Sequence, residues 1–173
     1  SGDAARPTIE GVSLRNFAPS GAGRALVTLD GAPQNDPFGG WVIWSAIPPE
    51  SLAEAEIVKG AGAGPYGAGA LTGVVNLTER AAADDVLGLD VSAASRGEVR
   101  GVAVLGAPHL LTVVSGSTSD GYVPARGPGR GAVDGAAALD TASVAARLQG
   151  DVAGVSAAVR LSAYREDREG GVQ

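Results

Sequence analysis

From Leu87 onward the chain alternates between large apolar and small or polar residues. Leu87, Leu89, Val91 and Ala93 take turns with Gly88, Asp90, Ser92 and Ala94. Ala142, Val144, Ala146 and Leu148 do so with Ser143, Ala145, Arg147 and Gln149. Val155, Ala157, Val159, Leu161 and Ala163 do so with Ser156, Ala158, Arg160 and Ser162. A period of two places each parity on its own face of a strand. The pattern predicts antiparallel strands near 86–95, 98–106, 109–119, 137–149 and 152–165. Gly150-Asp151 and Ala107-Pro108 read as tight turns, and Asp120–Gly135 as a long loop rich in Gly, Pro and Arg. Strands of about ten residues, with one apolar and one small-polar face and with short turns opposite long loops, fit an incomplete transmembrane β-barrel. A soluble sandwich has shorter strands, about 5–6 residues, and bulkier inward residues.

The first 80 residues read differently. Ala25–Leu29 is a β-rich run closed by Asp30-Gly31, a hairpin signal. Asn35-Asp36-Pro37 and Gly39-Gly40 mark a loop. Pro48-Pro49-Glu50-Ser51-Leu52 suits a short helix near 49–54, with Pro early and an acid in its first turn. Strands follow near 55–59 and 73–78, separated by a glycine-rich stretch. This half is expected to be a small mixed α+β unit, spanning 1–80, ahead of about five strands over 86–173.

Composition supports the split. With 27 Gly but two Trp, two Phe and three Tyr, the chain is short of large core residues. Its 45% hydrophobic content still argues against disorder. Thirteen basic and 19 acidic residues give a net charge of −6, and Lys59 is the only Lys. No basic patch is present, so a nucleic-acid partner is not expected. The lack of Cys excludes disulfides and thiolate metal sites. The lack of Met leads us to expect a trimmed chain or a piece of a longer one. Gly60–Thr78 and Gly101–Ser119 carry no charge, but their Gly, Pro and Ser/Thr content does not suit a spanning helix.

Candidate chemistry is sparse. Gly62-Ala-Gly-Pro-Tyr-Gly67 matches a dinucleotide fingerprint, but no helix follows to bring its N-terminus to a pyrophosphate. His109 is the only His and reads as a turn or interface residue. Asn76-Leu-Thr78 fits the N-glycosylation pattern but falls in an expected strand and is set aside. Asp30, Asn35 and Asp36 are explained by turn chemistry, so no metal site is assigned. No acid, base and nucleophile converge, so the chain is not read as an enzyme and no cofactor is expected. The loop Gln34–Trp44 stands out. It concentrates Asn35, Asp36, Phe38, Trp41 and Trp44 in a chain poor in aromatics. Aromatic rings beside amides suit a bulky small-molecule ligand. Trp44, next to the strand-like Val42-Ile43, is divided between this role and the core.

Seven segments appear in order: Val12-Ser-Leu-Arg15, Ala25-Leu-Val-Thr-Leu-Asp-Gly31, Asn35-Asp-Pro-Phe-Gly-Gly-Trp41, Ile47-Pro-Pro-Glu-Ser-Leu52, Ala55-Glu-Ile-Val-Lys-Gly60, Tyr66-Gly-Ala-Gly-Ala-Leu-Thr-Gly73 and Val74-Val-Asn76. Together they resemble the plug domain of TonB-dependent outer-membrane receptors. Ser119–Tyr122, Arg130–Asp134 and Glu166–Arg168 resemble the start of such a receptor's barrel. The resemblance implies a barrel of about 22 strands filled by a plug. It also implies an outer-membrane location in a Gram-negative cell, an outer face in contact with lipid, and import of a scarce nutrient such as a siderophore–iron complex, cobalamin or a similar chelate. Energy would arrive through TonB, acting on a box not expected within this chain. Ligand candidates are then Asn35, Asp36, Phe38 and Trp41, in a loop that rises toward the extracellular mouth in the family. Arg15 and Lys59 fall where the family sets basic residues against barrel glutamates, although Arg15-Asn16 stands for its usual Arg-Gly and Lys59-Gly60-Ala61 for its usual Arg-Gly-Pro. The competing expectation is a secreted or surface Gly/Ala-rich β-structured binding protein without transport activity.

Overall fold

The computed structural model describes residues 9–12, 14, 25–60, 69–82, 86–123 and 135–169. The chain divides between Ala81 and Ala82 into two compact units.

The first unit is built on a four-stranded mixed sheet. β1 (Ile9–Glu10) pairs with β4 (Val42–Ile43) apart from it. The sheet itself runs in the order β3 (Ala32–Pro33), β2 (Ala25–Leu29), β6 (Gly73–Glu79), β5 (Leu52–Lys59). The β2–β3 hairpin turns on Asp30 and Gly31, both at positive φ (48° and 82°), the geometry that matches strand twist. β2 lies parallel to β6, with Val27 opposite Val75 and Leu29 opposite Leu77. These four side chains, with Val42 and Ile47, form the buried core, against which Val12, Trp44 and Leu52 pack. Across the other face runs a polar row in register. Thr28 Oγ1 donates to Asn76 Oδ1 at 2.9 Å, and Asn76 Nδ2 donates to Glu56 Oε2 at 3.2 Å.

The helix expected near 49–54 is not formed. Pro49–Ser51 make a single 3₁₀ turn, and the chain is already extended at Leu52. One turn is too short to propagate as a helix. Residues from Leu52 instead gain a ladder with β6 that extends to Lys59 opposite Gly73. The Ser51 hydroxyl closes the turn by donating to the Pro48 carbonyl at 2.8 Å.

The second unit is an antiparallel meander of five strands, ordered β11-β10-β9-β8-β7. They are β7 (Val86–Ala93), β8 (Val99–Ala107), β9 (Leu110–Ser119), β10 (Leu139–Val152) and β11 (Val155–Arg168). The sheet is open, with β7 and β11 as its edges. The register keeps the two parities apart across all five strands. On one face Leu87 lies opposite Leu105, Ala103 opposite Val114, Val144 opposite Val114, and Leu148 opposite Val159. This face is apolar and exposed, with Leu87 81% and Leu161 71% accessible. The other face carries Asp90, Arg100, Ser115, Ser117, Thr141, Ser143 and Glu166. Hydroxyls bridge strands there, Ser115 to Ser143 and Ser117 to Thr141, each at 2.7 Å. Toward the 108–109 turn, the same face holds a small buried cluster of Ala82, Val102, Val104, Leu111 and Val113.

Two turns fall later than the sequence suggests. Gly150 and Asp151 continue β10, with Asp151 opposite Ser156 and accepting from its hydroxyl at 2.6 Å. The chain reverses at Ala153-Gly154, both at positive φ (53° and 81°). The β8–β9 reversal is at Pro108-His109. No helix among the described residues is long and apolar enough to cross a membrane, which does not bear on crossing by strands.

Candidate functional site

The loop Gln34–Trp44 leaves β3 and returns through β4, and its shape is set by its two polar residues. Asn35 reaches back to the central strand. Its Oδ1 accepts from the Val27 amide at 2.7 Å, and its Nδ2 donates to the carbonyls of Ala25 at 3.1 Å and Gly40 at 2.9 Å. One side chain thus satisfies three backbone groups that no strand partner reaches. Asp36 tightens the tip, its Oδ1 accepting from the amides of Phe38 at 2.9 Å and Gly39 at 2.7 Å. The loop closes on itself through Asp36 N to Trp41 O at 2.8 Å and Gly40 N to Asp36 O at 2.9 Å.

Phe38, at the tip, is 97% exposed, and Trp41 is 38% exposed. The Trp41 ring lies over Gly39, where an added Cβ would fall inside it. Trp44 instead packs against the core cluster. Of the candidates, then, Phe38 and Trp41 present aromatic surface to solvent, while Asn35 and Asp36 hold the loop that carries them. That scaffolding role is not visible in the sequence, because Asn35 bonds to residues eight and ten positions earlier. The fit of Trp41 over Gly39 is equally invisible there. Asn76 reads in the sequence as part of a glycosylation pattern and of the Val74-Val-Asn76 segment, and its place in the Thr28–Glu56 row depends on sheet register.

Lys59 is exposed as the last residue of β5. Arg15 lies outside the described residues, as does Gly62–Gly67. Among the described residues no group of three or more His, Asp or Glu side chains could hold a metal ion. Asp30 accepts from the Glu79 amide at 3.0 Å, a turn contact between strand ends.

Residues 1–74 match the family described as TonB-dependent Receptor Plug Domain. This region of the chain is a TonB-dependent receptor plug domain, a domain of outer-membrane transporters. Receptors that carry this domain interact with TonB and bind a ligand. Neither the curated proteins nor the solved structures gave a match to the chain.

Proposed function

We propose that the chain supplies the plug and the first wall strands of an outer-membrane importer for a bulky chelate, such as a siderophore–iron complex or cobalamin, driven by energy from TonB. The observation that carries this beyond the plug match is the exposed apolar face. Thirteen Leu and Val residues of β7–β11 that are exposed share it, in register across all five strands. A continuous apolar surface of this kind on a soluble protein would be a severe aggregation liability. Against lipid, it is the ordinary outer wall of a strand-built membrane protein. The opposite face, lined by hydroxyls and charges, suits a polar lumen.

In this reading Phe38 and Trp41 offer the ligand two aromatic surfaces, on a loop braced by Asn35 and Asp36. Lys59, with Arg15, holds the plug against wall carboxylates. A lysine there acts as a point charge rather than a bidentate fork, which favours a contact that releases easily. The test is binding and uptake by the full-length receptor, with ferric siderophores and cyanocobalamin as probes. Phe38→Ala should weaken binding of the transported probe about tenfold, or ~1.4 kcal/mol, while thermal unfolding stays unchanged. Saturable uptake of none of the probes would refute the chelate assignment. Unchanged affinity in Phe38→Ala would remove the loop tip from the binding site. Unaltered uptake and plug stability in an Arg15→Ala, Lys59→Ala double variant would rule out the electrostatic contact.

A further inference from the structure

Within the five-stranded unit, the first described residue, Ala82, is held in two ways. Its side chain is 5% exposed, packed among Val102, Val104, Leu111 and Val113 on the polar face of the sheet. Its carbonyl accepts from Gln149 Nε2 at 3.3 Å, across 67 positions of sequence. The orientation of that amide is fixed by chemistry. Arg147 Nε approaches Gln149 Oε1 at 3.4 Å, and a guanidinium can only donate. The amide nitrogen is left to face Ala82.

Gln149 is itself secured by the lone histidine. Pairing of β9 with β10 ends at Leu110 opposite Leu148, so the next residue of β10 has no strand partner on that side. His109 fills the place. Its carbonyl accepts from the Gln149 amide at 2.9 Å, and its Nδ1 lies 3.1 Å from the Gln149 carbonyl. A carbonyl only accepts, so Nδ1 carries the proton and donates. The side chain thus adds a rung that the backbone cannot supply. It reaches this position from a left-handed conformation, φ 71°, which is uncommon for a residue with a Cβ.

We infer that His109, Gln149 and Ala82 form a clip that fixes the start of the strand unit, so that displacement of the plug domain is passed along the chain no further than residue 81. The clip itself rests only on contacts within the strand unit. Its role as a stop rests additionally on the proposed function. A cavity of about 510 Å³ opens beside it, lined in part by Ala82, His109 and Gln149. A small thiol reagent therefore has access to the site as soon as Ala82 lifts.

The chain has no cysteine, so Ala82→Cys can be read alone in a full-length receptor freed of any other thiols. The rate of N-ethylmaleimide modification at rest measures the clip. We expect slow labelling in the otherwise native protein and at least tenfold faster labelling with Gln149→Leu or His109→Ala. His109→Asn, whose amide can take the place of Nδ1–H and tolerates the left-handed backbone, should restore slow labelling. Equal rates in all four proteins, or no rescue by Asn, would overturn the clip. Labelling is then repeated while the N-terminus is pulled through an attached handle at a load that extends the plug. Protection of the introduced thiol under load supports the stop. Labelling in the native background as fast as in Gln149→Leu would overturn the stop while leaving the clip standing. A plug that does not extend before the sheet ruptures would instead contradict a movable plug, and with it the proposed function on which the stop depends.

Discussion

The two sheets of this chain use the same alternation to opposite ends. In the plug sheet the apolar parity is covered: Val27 and Leu29 of β2 meet Val75 and Leu77 of β6 beneath Val42 and Ile47. In the five-stranded sheet the apolar parity is left bare, and it is the polar parity that carries the small buried cluster around Val102 and Val113. A period of two says only that a strand has two faces. It does not say which face looks inward. The size of the residues on the non-apolar face is more informative. Gly, Ser and Ala there, relieved by occasional Arg and Glu, are what the proposed function would require of a wall with a wet interior.

Substitutions can break or sharpen this contrast. The largest effect is expected from Val27→Asp. Val27 is 0% exposed, and an unpaired carboxylate there should cost more than ~4 kcal/mol and unfold the plug sheet, as read by loss of amide protection at Val75. Next is Leu161→Arg on the bare face. Against lipid it should cost about 2–4 kcal/mol in urea titrations of the receptor refolded in vesicles. A cost within about 0.5 kcal/mol would place that face in water. Asn35→Ala removes three hydrogen bonds to the backbone. At about 1 kcal/mol each, it should destabilise the plug by roughly 2–3 kcal/mol, in contrast to the neutral effect on stability expected of Phe38→Ala. The smallest change is in the five-stranded sheet: Ala153→Gly relieves a side chain at φ 53° and should stabilise the β10–β11 hairpin by about 0.5–1 kcal/mol, measured by the same titration.

These sites also mark how much could be read from residue order. The alternations from Leu87 and from Val155 were legible because nothing local competes with a period of two. The end of β10 was not. Gly150-Asp151 has turn composition, yet the pairing of Asp151 with Ser156 carries the strand through it. The helix expected at 49–54 failed for a similar reason, since its local signal was real but one turn long, and β6 offered a longer ladder. For the site, sequence located the aromatic loop but not the division of labour within it. The exposure of Phe38 and the bracing by Asn35 both depend on where β2 lies, and β2 is reached only through bonds to Val27 and Ala25.

The parallel pairing of β2 with β6 has a consequence for how the chain is made. Thr28 and Asn76, neighbours in that pairing, are 48 residues apart. A parallel pair cannot be closed by a tight hairpin, and contacts so distant in sequence form slowly. Each strand of the second sheet, by comparison, pairs with the one made just before it. The plug sheet, although first to be synthesised, has its central strand waiting until residue 79 exists, while the later hairpins can close as they appear. In refolding of the complete chain, the sequence-adjacent hairpins of the second sheet should therefore close ahead of the parallel β2–β6 pair. A brief labelling pulse during refolding should find the amides of β10 and β11 protected before that of Val27.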